Sequence, residues 1–440
     1  MLIEPQFRTK FADAVWGTME RLSRMAAFES ALASAQAKVG LIPRSAAKTI
    51  TQICNGPLPK ASNVYEEAIV AGNPAIPFLK ILTVSVNAKD SGATAYVHFG
   101  STSQDLIDSA HMMALTKIAD ALDASLQQVA SELRRLTTTH AETPMVSRTL
   151  LQQATPITFG LKAGLWGTAI TQARQQLKVA RINDMAVQLG GSNGALSAMA
   201  PHGPKVRADV AAQLGLADPG YCWHTLRSRV LTISAVLAVV VGVTAKIAGD
   251  CLLMMQTEVG EVQESFPGES SAMPHKKNPV HALVPVAALP LVATHLATLA
   301  GSQMHAHERA PGSWHTEWIT LPVLTCLTLA SVERVKEMIS GLKINIPQMR
   351  ANLALTRGTL AAEELVTTLA AGIARDEAHN LVDDLLKQSQ NNNFSETVRS
   401  NSKVSELLTK EKIAEILGYK QTLTAAAREA QRLAKTINDV

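Results

Sequence analysis

Aromatic side chains are scarce in this chain, at 4% of 440 residues, although 47% of its residues are hydrophobic. A core short of Phe, Tyr and Trp has to be filled by Ala, Leu and Val, which favours closely approaching helices over sheets. Cysteine is scarce as well. Cys54, Cys222, Cys251 and Cys326 are scattered, with no CxxC pair and no metal-ligand spacing. That excludes a disulfide framework and reads as buried thiols in a reducing compartment. There is no dense Lys/Arg block, and the formal net charge is only +4, so nucleic acid is not an expected partner. Met1 to Gln6 do not form a charged segment leading into an apolar stretch, so no signal peptide is expected. Clean apolar runs of roughly 20 residues are missing too. The run 230–245 has 16 residues, and the run 278–306 contains Pro285, Pro290 and three histidines. Both are expected to be helices buried on all sides in a bundle or oligomer of a soluble, cytoplasmic protein, with no membrane partner.

The length suggests two or three domains. Apolar spacing at Phe11, Val15, Met19, Leu22, Met25 and Phe28 predicts helix within residues 8–40, closing at Gly40-Leu41-Ile42-Pro43. A second helical pair reaches about Ala95. Thr102 and Ser103 read as caps of a helix through Ile107, Ala110, Ala114 and Ile118. Thr155-Pro156 reads as another helix start, with proline at the first helical position. Long apolar helices with short breaks follow to about residue 355, one break being the Gly-rich Leu189-Gly190-Gly191-Ser192-Asn193-Gly194-Ala195. The last 85 residues change to shorter amphipathic helices around a polar break at Gln390-Asn391-Asn392-Asn393. The expected fold is all-α in three parts: an N-terminal helical domain at 1–110, a central bundle and oligomerisation domain at 111–355, and a C-terminal helical domain at 356–440.

The densest chemistry lies in residues 265–280. Ser270, His275, Lys276, Lys277 and Asn278 fall within nine residues, and Pro267, Gly268, Pro274 and Pro279 break regular structure around them. Hydroxyl, amide and fixed positive charge together suit a substrate carrying carboxylates. From composition alone, a basic surface turn is the commoner meaning of such a loop. The run Ser270-Ser271-Ala272-Met273-Pro274-His275-Lys276-Lys277-Asn278-Pro279, however, resembles the mobile signature loop of the fumarase/aspartase superfamily. The layout is similar to that superfamily across nearly the whole chain. The resemblance implies its three-domain, all-α fold, with five long central helices per subunit joining in a homotetramer whose active sites are shared between subunits.

The same resemblance assigns roles. His98-Phe99-Gly100-Ser101-Thr102-Ser103-Gln104-Asp105 matches one motif. Thr102 and Ser103 place two hydroxyls at a helix N-terminus, where free N–H groups and the dipole favour an anion; capping and carboxylate binding can coexist there. His98, between Val97 and Phe99, fits a hydrogen-bonded core histidine and a catalytic group equally well. In Ser147-Arg148-Thr149-Leu150-Leu151-Gln152-Gln153-Ala154-Thr155-Pro156, Thr149 and Gln152 correspond to residues that hold a substrate carboxylate; on the residues alone, a capped helix-entry loop fits as well. Many lyases of the superfamily have histidine where this chain has Leu150 and glutamate where it has Leu283. Ser270 corresponds to the serine that exchanges the proton beside a carboxylate, and an alkoxide there needs charge stabilisation. Lys276 and Asn278 correspond to residues that hold that carboxylate as a dianion forms. Glu269 stands where the superfamily usually has glycine, and is expected to face outward or to pair with Lys277.

Gly72-Asn73-Pro74-Ala75-Ile76-Pro77, the run His307-Glu308-Arg309-Ala310-Pro311-Gly312-Ser313-Trp314-His315-Thr316-Glu317-Trp318 and the absent His/Glu pair resemble the 3-carboxy-cis,cis-muconate cycloisomerases of the superfamily. Trp314 and Trp318 lie four apart and share a helix face, as a core or interface pair or as a pocket wall. Arg309 suits a substrate carboxylate or a structural ion pair with Glu308 or Glu317. The implied reaction is lactone formation by a carboxylate adding across a double bond of a small polycarboxylate, with no metal or organic cofactor. An adenylosuccinate-type or other succinyl-adduct lyase is the second reading, and a non-catalytic helical scaffold the third.

Overall fold

The computed structural model describes residues 3–57, 63–389 and 393–437, and nearly all of its regular structure is helix. Five helices are long: α1 (Ser103–Thr139), α2 (Phe159–Asn183), α3 (Ser228–Met254), α4 (Val280–Gly301) and α5 (Ser313–Ser340). The chain forms two compact units. One holds the residues up to Ser125 with Ala173–Ala245 and Val284–Arg334; the other holds Leu126–Gln172, Lys246–Leu283 and the residues from Val335 on. Each long helix contributes residues to both.

In the first unit the expected N-terminal helix divides at Gly17 into Lys10–Trp16 and Thr18–Lys38. Leu22, Met25, Phe28 and Leu32 recur at helical spacing, and all are buried. They pack the helix against Arg44–Cys54 and Gly203–Leu214. Elsewhere the core holds a buried polar network. The Arg227 guanidinium donates to Asp108 at 2.7 Å and to Glu317 at 2.9 Å, and lies 4.6 Å from the Trp223 ring centroid. Trp314 Nε1 donates to Asp108 at 2.9 Å, and Trp318 meets Trp314 edge-on with ring centroids 4.8 Å apart. Trp314 therefore serves the core. Buried charges need complete pairing, and this network supplies it by drawing on α1, α5 and the segment before α3.

The second unit contains the described strands. β1 (Pro144–Thr149) and β2 (Gln152–Thr158) form an antiparallel hairpin, and β3 (Val262–Gln263) pairs with β4 (Lys343–Ile344). The helix start read at Thr155-Pro156 is corrected here: both residues lie in β2, and α2 begins at Phe159. Proline fits the strand because the ladder is only two strands wide and its register shifts between Val146 and Ser147, beside Pro156. Thr158 is the actual cap, its hydroxyl accepting from Leu161 N. The last helices close on a core that includes Leu365, Val382, Leu385, Phe394 and Ile416. Of the polar break, Gln390 to Asn392 lie outside the described residues, while Asn393 caps the helix Phe394–Ser400.

The apolar runs are not buried on all sides within one chain. α3, α4 and α5 are each long and apolar enough to cross a membrane, and only 33% of the most apolar window of α4 is buried. α4 carries no charged residue and exposes Leu283, Val286, Leu289 and Leu291.

Candidate active site

In the first unit the site is organised by Asp105, in the first turn of α1 and fully buried. Its carboxylate accepts from Thr102 N at 3.1 Å and from the Ser101 hydroxyl at 3.3 Å. This is half of a capping box, with the acid satisfying the free N–H. The Thr102 and Ser103 hydroxyls, expected as caps, have no hydrogen-bond partner among the described residues and remain available to an anion. Asp105 also accepts from Gly190 N and Gly191 N, each at 2.9 Å, and from His224 Nε2 at 2.7 Å. Glycine is required at this junction. A Cβ at Gly190 would overlap Cys222 Sγ, and Gly191 has φ +73° with a Cβ position 2.9 Å from Gly100 O. The Gly-rich segment that reads as a mere break is thus stapled to the Thr102-Ser103 corner. Burial opposes charge on His224, but the hydrogen bond and charge of Asp105, with Cys222, outweigh it and push the imidazole up to about 9.

His98 is held in the left-handed region at φ +57°. Its backbone N donates to buried Glu29 at 3.1 Å, and its Nδ1 lies 2.6 Å from the same carboxylate. Nε2 is buried without a hydrogen-bond partner. Burial disfavours the charged ring, yet Glu29, with a smaller contribution from Asp105, leaves the imidazole above its ordinary value. A carboxylate at Nδ1 fixes the orientation of the ring. Exposed Arg309 donates to Ser192 O at 3.2 Å, in the Gly-rich segment, while Glu317 is committed to Arg227.

In the second unit Thr149 and Gln152 face each other as the last pair of the β1–β2 hairpin. The entry-loop reading of this stretch gives way to a tight turn. Leu150 and Leu151 form its two-residue tip with φ +50° and +65°, and are 96% and 74% exposed. Positive φ at both positions is ordinarily the province of Asn-Gly. Two leucines there store strain, which accumulates at functional sites. Arg148 anchors the hairpin through a two-pronged bond to buried Glu261, at 2.9 and 2.8 Å, immediately before β3.

The signature loop follows β3 and is closed by two clamps. Glu264 accepts from His281 N and Ala282 N, capping α4, and contacts His281 Nδ1 at 3.0 Å. Inside that clamp, Gly268 and Asn278 exchange backbone hydrogen bonds of 2.8 and 2.9 Å. A Cβ at Gly268 would overlap Val280 Cγ1, so this approach needs glycine. The Asn278 amide donates to Glu269 O at 3.0 Å, while the Glu269 side chain is exposed. Ser270 Oγ accepts from Met273 N at 3.1 Å and from Ala272 N at 3.4 Å. Successive backbone N–H groups around one oxygen favour negative charge on it. Lys276, Lys277 and Asn278 line a cleft of ≈ 870 Å³, a size common for small-molecule sites.

A family model described as lyase matches residues 5–288, and one described as adenylosuccinate lyase C-terminus matches 358–433. A 3-carboxy-cis,cis-muconate cycloisomerase of Pseudomonas aeruginosa is 40% identical over 88% of this chain and 85% of its own length. The chain belongs to the fumarase/aspartase-type lyases. Among solved structures, this chain is similar to the 3-carboxy-cis,cis-muconate lactonizing enzyme of Pseudomonas putida, with a TM-score of 0.92 and 34% identity over 99% of this chain and 98% of the other. A nitrosuccinate lyase of Streptomyces davaonensis is 35% identical over 94% of this chain and 89% of its own length.

Of the expected site residues, His98, Thr102, Ser103 and Arg309 belong to the first unit, and Thr149, Gln152, Ser270, Lys276 and Asn278 to the second. Sequence reasoning missed Glu29, His224 and the pivotal place of Asp105. Asp105 stood inside a quoted motif; Glu29 and His224 carry no local signal, because their partners are far away in the chain. Among the described residues, no group of three His, Cys, Asp or Glu side chains comes together as a metal site.

Proposed function

We propose that this lyase-family enzyme is a 3-carboxy-cis,cis-muconate cycloisomerase, closing 4-carboxymuconolactone in aromatic-acid catabolism. The observation that carries the chemistry is Ser270, whose oxygen receives two backbone N–H groups on the loop that also presents Lys276 and Asn278. In this reaction a substrate carboxylate oxygen forms a C–O bond to one alkene carbon. The π electrons move to the neighbouring carbon and into its carboxylate as an aci-carboxylate. Ser270 then gives its proton to that carbon and recovers one from solvent. Thr102, Ser103, Thr149, Gln152, Lys276, Asn278 and Arg309 hold the carboxylates, and His98 is the second proton-transfer group. No water or amine needs activation and no amine departs, in keeping with leucine at 150 and 283 where related lyases carry a histidine and a glutamate. Similarity to 3-carboxy-cis,cis-muconate cycloisomerases of two Pseudomonas species and Bradyrhizobium diazoefficiens supports the same reading.

The proposal includes a soluble, cytoplasmic homotetramer with shared sites and the three-part division at 110 and 355. The exposed apolar side of α4 supports the oligomer, since such a face needs a partner. The second reading, a succinyl-adduct lyase, draws on the adenylosuccinate lyase C-terminal match and the nitrosuccinate lyase relative. Incubation with 3-carboxy-cis,cis-muconate and, separately, with adenylosuccinate, following each chromophore, decides between them. Loss of the muconate signal alone is expected; loss of adenylosuccinate alone would replace the cycloisomerase reading.

A further inference from the structure

The cleft beside the signature loop holds more positive charge than the loop motif accounts for. Four basic side chains line it, His275, Lys276, Lys277 and Lys343, and no carboxylate does. None of the three lysines has an ion-pair partner among the described residues. Lys343 does not belong to the loop. It lies on β4, opposite Gln263 of β3. The end of β4 is pinned by Asn345, whose backbone N donates to Glu261 O at 2.9 Å and whose amide donates to Gly260 O at 3.1 Å. A fixed platform thus presents one ammonium group, while the closed loop presents two more to the same space. Uncompensated like charges around one concave space raise its potential and concentrate anions there. The Gln256 and Gln263 side chains add uncharged polar groups to the lining.

We propose that this cleft is a polycarboxylate subsite in which Lys343, on the β3–β4 platform, and Lys276 and Lys277, on the loop, hold one bound anion between them. The inference rests on the polycarboxylate reading of the loop and adds Lys343 to it. A bound polyanion bridges platform and loop, so the position of the loop depends on occupancy.

The test uses tricarballylate, a tricarboxylate with no double bond to add across and no leaving group. Its binding is measured by calorimetry. The loop is followed by limited trypsin digestion, with mass spectrometry reading cleavage after Lys276 and Lys277. Tricarballylate is expected to slow that cleavage at least fivefold in the wild-type protein. Lys343→Met should weaken binding at least fivefold and abolish the protection, and Lys343→Arg should retain both. Lys343 is exposed, so unchanged melting of both variants is expected to verify folding. Lys343→Met binding as tightly as wild type, wild type showing no protection, or equal protection by inorganic phosphate at the same concentration would each overturn the proposal. Tricarballylate is not turned over, so these outcomes leave the muconate assay standing, and failure of that assay leaves the binding result standing.

Discussion

Ser270 and Glu269 are neighbours with opposite expected consequences. Ser270 Oγ is already positioned by Met273 N and Ala272 N, so it needs no rearrangement within its own turn to carry developing charge. Ser270→Ala removes the proposed proton-transfer group and keeps the Lys276 and Asn278 side chains. Steady-state kinetics should show kcat lower by at least about a hundredfold, with KM within about threefold of wild type. Near-normal turnover would move the proton to His98, whose unpartnered Nε2 makes it the next candidate. Glu269 contributes to the loop through its carbonyl, which receives the Asn278 amide, while its carboxylate is exposed. An inward carboxylate would repel a tricarboxylate by about 1 kcal/mol at about 4 Å in water. An outward one is screened. Glu269→Gly should therefore change KM by less than about threefold, a few tenths of a kcal/mol. A tenfold fall in KM would mean that Glu269 obstructs this substrate, and a different family activity would have to replace the cycloisomerase.

Elements differed in how far the chain disclosed them. Thr18–Lys38 announced itself because its buried residues recur every three or four positions, a signal contained within the helix. The β1–β2 hairpin did not. Its turn is Leu-Leu rather than Asn-Gly, and Thr155-Pro156 imitates a helix start, so local chemistry pointed away from the structure. The loop 265–280 stood out in the sequence as a candidate carboxylate site because its groups are consecutive, but the clamp from Glu264 to His281 is a packing outcome. The staple between α1 and the Gly-rich segment was illegible for the same reason: Asp105 joins residues 85 to 119 positions away. That staple has a testable pH dependence. His224 is raised from 6.5 to about 9 in the folded protein. Its pairing with Asp105 therefore contributes stability that is fully present below about pH 6.5 and is lost as pH rises through about 9. The shift corresponds to on the order of 3 kcal/mol. Melting temperatures recorded from pH 6 to 10 should fall across that window in the wild type and fall less steeply in His224→Gln. Parallel curves would show that the pair does not contribute this way.

For the whole molecule, the question is what covers α4. A helix of 22 residues without a charge, exposing Leu283, Val286, Leu289 and Leu291, presents water with an apolar face of the kind that partner surfaces cover. A bilayer could cover it by length alone. The neighbouring long helix α5, however, carries Glu317 paired with Arg227 inside a polar network, which belongs to a protein core. Burial of α4 by other copies of the chain satisfies both observations. If those copies also complete one another's sites, the hairpin residue Thr149 and the loop residue Ser270 act together from different subunits. Each single variant, Thr149→Ala or Ser270→Ala, then spoils every site in its own homotetramer. A mixed tetramer, in contrast, contains some sites that draw both residues from intact segments. Denaturing and refolding the two variants together should restore activity clearly above either parent, with sedimentation confirming an assembly of about four times the 46.9 kDa chain. Refolding each alone should restore none. Confirmed mixed tetramers without recovered activity would place both residues in a site built by a single chain, and a monodisperse, active monomer would remove the shared-site arrangement altogether.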